Sequence, residues 1–166
     1  MKRYQVRVLP KALPRVWGGK GVLLERDIRA SRRGRLRAKL LVFDSRQSLR
    51  RFWQGRLAKA GHLGRGCLGA VNALSVFCRN PTTGRECLYV DRRYFCVIGL
   101  VRTRLWATIL MHEAAHAGFC YARRLGGGGP FAKISDMDEE KVCYPAGNVA
   151  GGINVAVRAA GFYKKE

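Results

Sequence analysis

Acidic side chains are scarce in this chain. Eleven Asp and Glu stand against 32 Lys and Arg over 166 residues, a formal net charge of +21. A chain so poor in carboxylates attracts polyanions. The surplus is uneven: residues 1–66 hold 19 basic and 3 acidic side chains, residues 67–166 hold 13 and 8. Long apolar runs are missing as well. None approaches the roughly 18 residues that a membrane span needs, so no membrane partner is expected. Met1 to Trp17 is basic but broken by Pro10 and Pro14, which does not read as a secretory signal. The six cysteines show no Cys-x-x-Cys zinc spacing and are read as reduced thiols, mostly small core residues. A cytoplasmic location is the expectation. Zinc-finger, helix-turn-helix and RNP signatures are absent too, which leaves any nucleic-acid binding non-specific and salt-sensitive.

What is present suits one ordinary domain, since 48% hydrophobic residues can build a core at this length without disulfides. Residues 1–44 read as a basic, β-rich region. Tyr4–Leu9 alternates, Gly21–Leu24 follows a Gly-Gly-Lys turn, Leu40–Phe43 ends a third run, and the arginine-rich stretch from Arg29 to Arg37 reads as a solvated hairpin tip. Residues 45–161 read as the catalytic core. After an N-cap at Asp44-Ser45, Leu49, Phe52, Trp53 and Leu57 recur at helical spacing until Gly61. A glycine-rich loop through Gly69 follows. Ala73–Cys78, Glu86–Val90 and Tyr94–Leu100 then predict three strands on short connections, an antiparallel meander. Thr103 to about Leu125 predicts a long helix, ended by four glycines and Pro130. Ser135 with Asp138 resembles a capping box opening a last helical region to about Gly161. Pro145 lies within that region and costs roughly 3 kcal/mol unless the helix kinks or restarts there.

The chemistry concentrates in His112-Glu113-Ala114-Ala115-His116. Only three histidines occur, and two stand here at i and i+4, one turn apart on one helix face, where both imidazoles reach a single Zn2+. Glu113, to their side, suits a general base that takes a proton from metal-activated water. The competing interpretation is a pair of histidines hydrogen-bonded in a core. Ala114, Ala115, Ala117 and Gly118 allow a neighbouring element to approach closely. Cys120, one turn beyond His116, reads as a small core residue.

A catalytic zinc usually takes a third protein ligand. No histidine follows in Ala117–Arg124, and His62 sits in the glycine-rich loop. Four of the eleven acids lie within Asp136–Glu140. Acids at a helix start also complement the helix dipole and need no metal. Glu140 shares a stripe with Cys143, Tyr144, Gly147 and Gly151, which favours it over Glu139, whose stripe runs through Val142, Ala146, Val149 and Ile153. Tyr144 then offers its hydroxyl to a substrate carbonyl oxygen, or is a packing aromatic.

The order of basic strands, helix, meander, His-Glu-x-x-His helix, glycine linker and Glu-bearing helix resembles the minimal gluzincins. Met111–Ala117 and Asp138–Tyr144 are similar to the motifs of small His-Glu-x-x-His proteins of bacteriophages and mobile elements. The resemblance covers residues 45–160 as architecture and only those two stretches as motif. It implies an α+β zincin-like fold, with a small antiparallel sheet packed on the His-Glu-x-x-His helix and a following Glu-bearing helix. It also implies zinc held by His112, His116 and one of Glu139 and Glu140, with Glu113 as catalyst. Pro145 departs from an uninterrupted Glu-bearing helix. The expected function is a zinc metallopeptidase, a hydrolase of protein or peptide substrates. Its basic residues 1–66, interleaved with Tyr4, Trp17, Phe43, Phe52 and Trp53, bring it near nucleic-acid-bound proteins, a division of labour that resembles the SprT-like proteases. The rivals are a nucleic-acid-binding or host-interacting protein on a zincin fold without peptidase activity, and a structural or inhibitory protein.

Overall fold

The computed structural model describes residues 5–8, 19–56, 68–79, 86–125 and 139–163. Their elements run β1 (Gln5–Val8), β2 (Val22–Arg29), β3 (Arg37–Phe43), α1 (Arg46–Arg56), β4 (Gly69–Ala73), β5 (Ser75–Arg79), β6 (Glu86–Val90), β7 (Tyr94–Val101), a 3-10 turn (Arg102–Arg104), α2 (Ala107–Leu125) and α3 (Glu139–Ala159). The fold is α+β, with a mixed sheet in the order β2-β3-β7-β4 and a separate three-stranded sheet in the order β1-β6-β5.

The hairpin tip is where the sequence places it: β2 and β3 pair antiparallel with Arg29 opposite Arg37. Both strands come from the basic region, yet β3 runs parallel to β7, so the two regions share one sheet. The expected meander is not formed, and the main sheet is mixed rather than antiparallel. Of the strands expected in the meander, only β5 and β6 pair with each other. The stretch taken as one strand from Ala73 divides at Leu74, with β4 pairing to β7 and β5 to β6. Between β6 and β7 the chain also changes sheets. Asp91 explains that turn, because its Oδ1 accepts hydrogen bonds from the backbone N–H groups of Arg93 (2.8 Å) and Tyr94 (2.7 Å). Such an Asx turn reverses the chain without the register of a two-residue hairpin.

Alternation along β3 sorts the core into two layers. Ala38, Leu40 and Val42 face α2 and α3, together with Ile98, Leu100, Leu110, Ala114, Val149 and Ile153. Leu41 and Phe43 face α1, where Leu49 and Trp53 are buried as the helical spacing predicts. Ser45 caps α1 by accepting the Ser48 N–H at 3.2 Å. On the α1 side of the sheet the ammonium of Lys39, only 5% exposed, is paired with Glu25 at 3.0 Å and with Asp27. Burial alone would raise the Asp27 pKa. The Lys39 hydrogen bond and charge, with Tyr94 and Arg93, outweigh it and hold that carboxyl below its usual range.

α2 begins at Ala107 rather than Thr103. The carbonyl of Trp106 accepts the first helical bonds, from the N–H groups of Ile109 and Leu110 at 3.0 Å each. α3 runs unbroken through Pro145. It lies against α2 at Gly118, where an added Cβ would stand 2.7 Å from the Val142 carbonyl oxygen and 2.8 Å from Ala146 Cβ. That contact depends on the absence of a side chain and holds the proline-containing turn against its neighbour. The capping residues Ser135 and Asp138, like Gly61 and the Asn80–Gly84 turn, lie outside the described residues. Among the described residues no helix is long and apolar enough to cross a membrane.

Candidate metal centre on helix α2

The helix turns about 100° per residue, so neighbours in sequence face different surroundings. In α2 that rotation separates Glu113 from the histidines beside it. His112 and His116 are exposed, and their Nε2 atoms converge to 3.1 Å. Their rings meet edge to face, with centroids 4.6 Å apart. Two nitrogens bound to one tetrahedral zinc at about 2.0–2.1 Å would sit about 3.3 Å apart. The pair therefore fits a shared metal in both donor type and spacing.

The electrostatics suit the same reading. Burial lowers the His116 pKa, and the neighbouring His112 lowers it further, favouring the neutral imidazole that a metal requires. Glu113 turns inward and is 6% exposed. Burial raises its pKa, partly opposed by the charge of His112. Glu113 is thus a carboxylate poised to hold a proton nearer neutrality than an exposed one does.

What admits Glu113 to the interior is Gly69, at the start of β4. A Cβ on Gly69 would lie 2.7 Å from Glu113 Cγ and 2.8 Å from its Oε1. Sequence reading placed Gly69 in a loop and assigned it no part in the site. Only the pairing of Gly69 with Leu100 makes it the first residue of the strand beneath α2.

The other candidates lie elsewhere. Glu140 is exposed and lines a cavity of ≈ 480 Å³ with Tyr121, Ala122, Leu125 and Tyr144. Those α2 residues are five to nine positions beyond His116, or about 7–14 Å along the axis. They also share the α3 flank: Gly118, in contact with α3, points about 160° around the helix from His116. The structure therefore brings Glu140 together with Tyr144 and does not bring either to the histidine pair. Tyr144 is 70% exposed there. Glu139 opens α3, and its side chain lies outside the described residues, as do His62 and Asp136. Among the described residues no three His, Cys, Asp or Glu side chains converge as a ligand group. Cys120 is a poor ligand and nucleophile, because burial pushes its thiol up to about 11.

Comparison with protein-family models, with curated proteins and with solved structures finds no match to this chain.

Proposed function

We propose that the protein is a zinc-dependent metallopeptidase of zincin-like fold, resembling the small phage and mobile-element gluzincins and acting in the cytoplasm. The observation that carries this reading is the 3.1 Å convergence of the His112 and His116 Nε2 atoms on the face next to buried Glu113. The histidines hold the metal. Zinc bound there would supply Lewis-acid activation of water and of a substrate carbonyl. Glu113 accepts the proton released as water attacks the carbonyl carbon, and returns it to the amine that leaves. Its raised pKa makes it the stronger base for the first half of that shuttle, and the basic leaving amine draws the proton in the second. The exposure of the two rings leaves the place where they would hold a metal accessible to a protein or peptide substrate.

For the third ligand the resemblance offers Glu139 or Glu140, of which Glu140 lies away from the histidine pair, with His62 behind them. A second reading, a nucleic-acid-binding or host-interacting protein on the same fold without peptidase activity, is favoured by the distance of Glu140 and Tyr144 from the histidines. Metal analysis combined with the Glu113→Gln variant separates the two. A peptidase should bind about one zinc per chain in both wild type and Glu113→Gln, and should lose peptide cleavage in the variant. Full cleavage by Glu113→Gln, or the absence of zinc from freshly purified wild type, rejects the proposal.

A further inference from the structure

A groove of ≈ 1260 Å³ lies between the start of α2 and the end of α3. Its α2 residues, Ala107, Leu110 and Met111, lie toward α3, around the helix from the histidine pair. The floor is apolar, and two large side chains stand out from it, with Trp106 55% and Met111 57% exposed. Arg102 and Arg158 line the groove and Arg104 stands beside it, each over an aromatic ring. Arg104 sits 5.0 Å from the centre of Trp106, Arg102 5.5 Å from Phe162, and Arg158 5.5 Å from Tyr163. Among the described residues none of the three is in an ion pair. Among the described residues a single carboxylate, Asp44, lines the groove, and it already accepts hydrogen bonds from Ser48 and Ser45.

We propose that this groove binds single-stranded nucleic acid, with an unpaired base stacking on Trp106 and phosphates held by Arg102, Arg104 and Arg158. Each part of the groove matches one part of such a strand. A flat, half-exposed indole gives a stacking face to any base. A guanidinium laid on an aromatic ring loses little rotamer freedom in binding phosphate oxygens, and although Arg158 Nε donates to Asn154 Oδ1 at 3.2 Å, its terminal N–H groups remain for such oxygens. A duplex keeps its bases stacked inside and offers none to Trp106, and an acidic peptide carries charge without regularly spaced flat rings. The charge balance of the lining also selects a polyanion. This site is separate from the arginine-rich tip between β2 and β3, where composition alone places the basic surplus. It rests on no property of the histidine pair.

Fluorescence anisotropy of labelled dT and rU oligomers of about 15 nucleotides, titrated with the full chain, tests the proposal. Trp106→Ala is expected to weaken binding roughly tenfold. The double variant Arg102→Gln/Arg158→Gln is expected to lower the slope of log affinity against log salt by about 1.4. Since both arginines are exposed, this variant leaves the core intact and keeps the test decisive if Trp106→Ala fails to fold. Arg32→Gln/Arg33→Gln/Arg35→Gln at the hairpin tip should leave the Trp106 dependence in place. Equal affinity for dT and rU marks readout by stacking and phosphate alone, and preference for rU marks RNA as the source; either supports the site when the Trp106 effect is present. Wild-type affinity in both groove variants overturns the proposal. So does equal competition by a duplex of the same length, or by phosphatidylserine vesicles.

Discussion

Helix α2 has two flanks that differ in kind. On the flank toward β4, Glu113 is buried against Gly69 while His112 and His116 stay open to solvent. On the flank toward α3, small residues let two helices touch, and the acid and phenol that the sequence nominates, Glu140 and Tyr144, sit on an exposed rim. The first flank combines desolvation with access, which proton transfer to a substrate requires. The second combines close helix packing with an exposed rim, which stabilises a fold. If the peptidase reading holds, changes on the first flank should remove metal or turnover, and changes on the second should reach stability alone.

The largest expected effect is on metal content. His112→Ala and His116→Ala should each abolish stoichiometric zinc, read by metal analysis after gel filtration. Glu140→Ala should keep it, because Glu140 is grouped with Tyr121 and Leu125 and away from the imidazoles. Loss of zinc in Glu140→Ala would mean that α3 reseats when metal binds, and the contrast between flanks would collapse. His62→Ala and Glu139→Ala complete the series and identify the third ligand by which one loses metal.

Two glycines sharpen the contrast next. A methyl on Gly69 would press on the Glu113 side chain, so Gly69→Ala should keep zinc yet lower kcat/KM by roughly 100-fold, since even about 1 Å of misplacement has that cost. A methyl on Gly118 would press on the Val142 carbonyl and Ala146 of α3. Gly118→Ala should therefore cost about 1–3 kcal/mol in urea unfolding while the folded fraction keeps its turnover. A reversal of these two outcomes would place the chemistry on the α3 flank.

Acid dependence tests the burial of Glu113 in metal-free protein. Its folded pKa is raised by burial, so protonation favours the folded state. The folded chain is most favoured with respect to this group below the unfolded carboxyl value of about 4.5, and that advantage is lost as pH rises through the folded value. Glu113→Gln, which never ionises, should unfold at a higher temperature than wild type at pH 7, with the gap closing as the pH is brought down to 4. A gap that stays constant with pH would show that Glu113 is not desolvated.

The helices were legible in the sequence because their signals are local. Leu49 and Trp53 at i and i+4, or His112 and His116 at the same spacing, fix a face whatever the rest of the chain does. The strands are legible one by one, except β4, which reads as a glycine-rich loop; their partners are not. Pairing of β3 with β7 and of β1 with β6 joins residues far apart in sequence, and Asp91 turns the chain out of the meander that short connections suggest. The candidate site divided in the same way. Its histidines and Glu113 follow from five residues, whereas Gly69 becomes part of the site only through a strand pairing. Stripe reasoning placed Glu140 against the histidine helix. That stripe instead faces outward: Cys143 and Tyr144 are exposed and Gly147 and Gly151 have nothing near them, while Val142 and Ala146 of the Glu139 stripe meet Gly118. Bulky apolar residues rather than small ones drive the burial of this face.

The smallest expected effect is at Tyr144. An oxyanion donor must stand within hydrogen-bond reach of the carbonyl oxygen being attacked, and removing one typically costs about 100- to 1,000-fold in kcat. Tyr144 is 70% exposed and shares its cavity with Glu140 and Leu125. Tyr144→Phe keeps the ring and removes only the hydroxyl, so it should change kcat/KM less than about twofold and leave zinc content unchanged. A fall in kcat at constant KM and constant zinc would show that the hydroxyl reaches the reacting carbonyl in the substrate complex. For an exposed phenol on the α3 flank, that requires the far end of α3 to swing around α2 toward the histidines as substrate binds. Such a swing would also carry Glu140 toward the imidazoles, so the Tyr144→Phe and Glu140→Ala results should succeed or fail together.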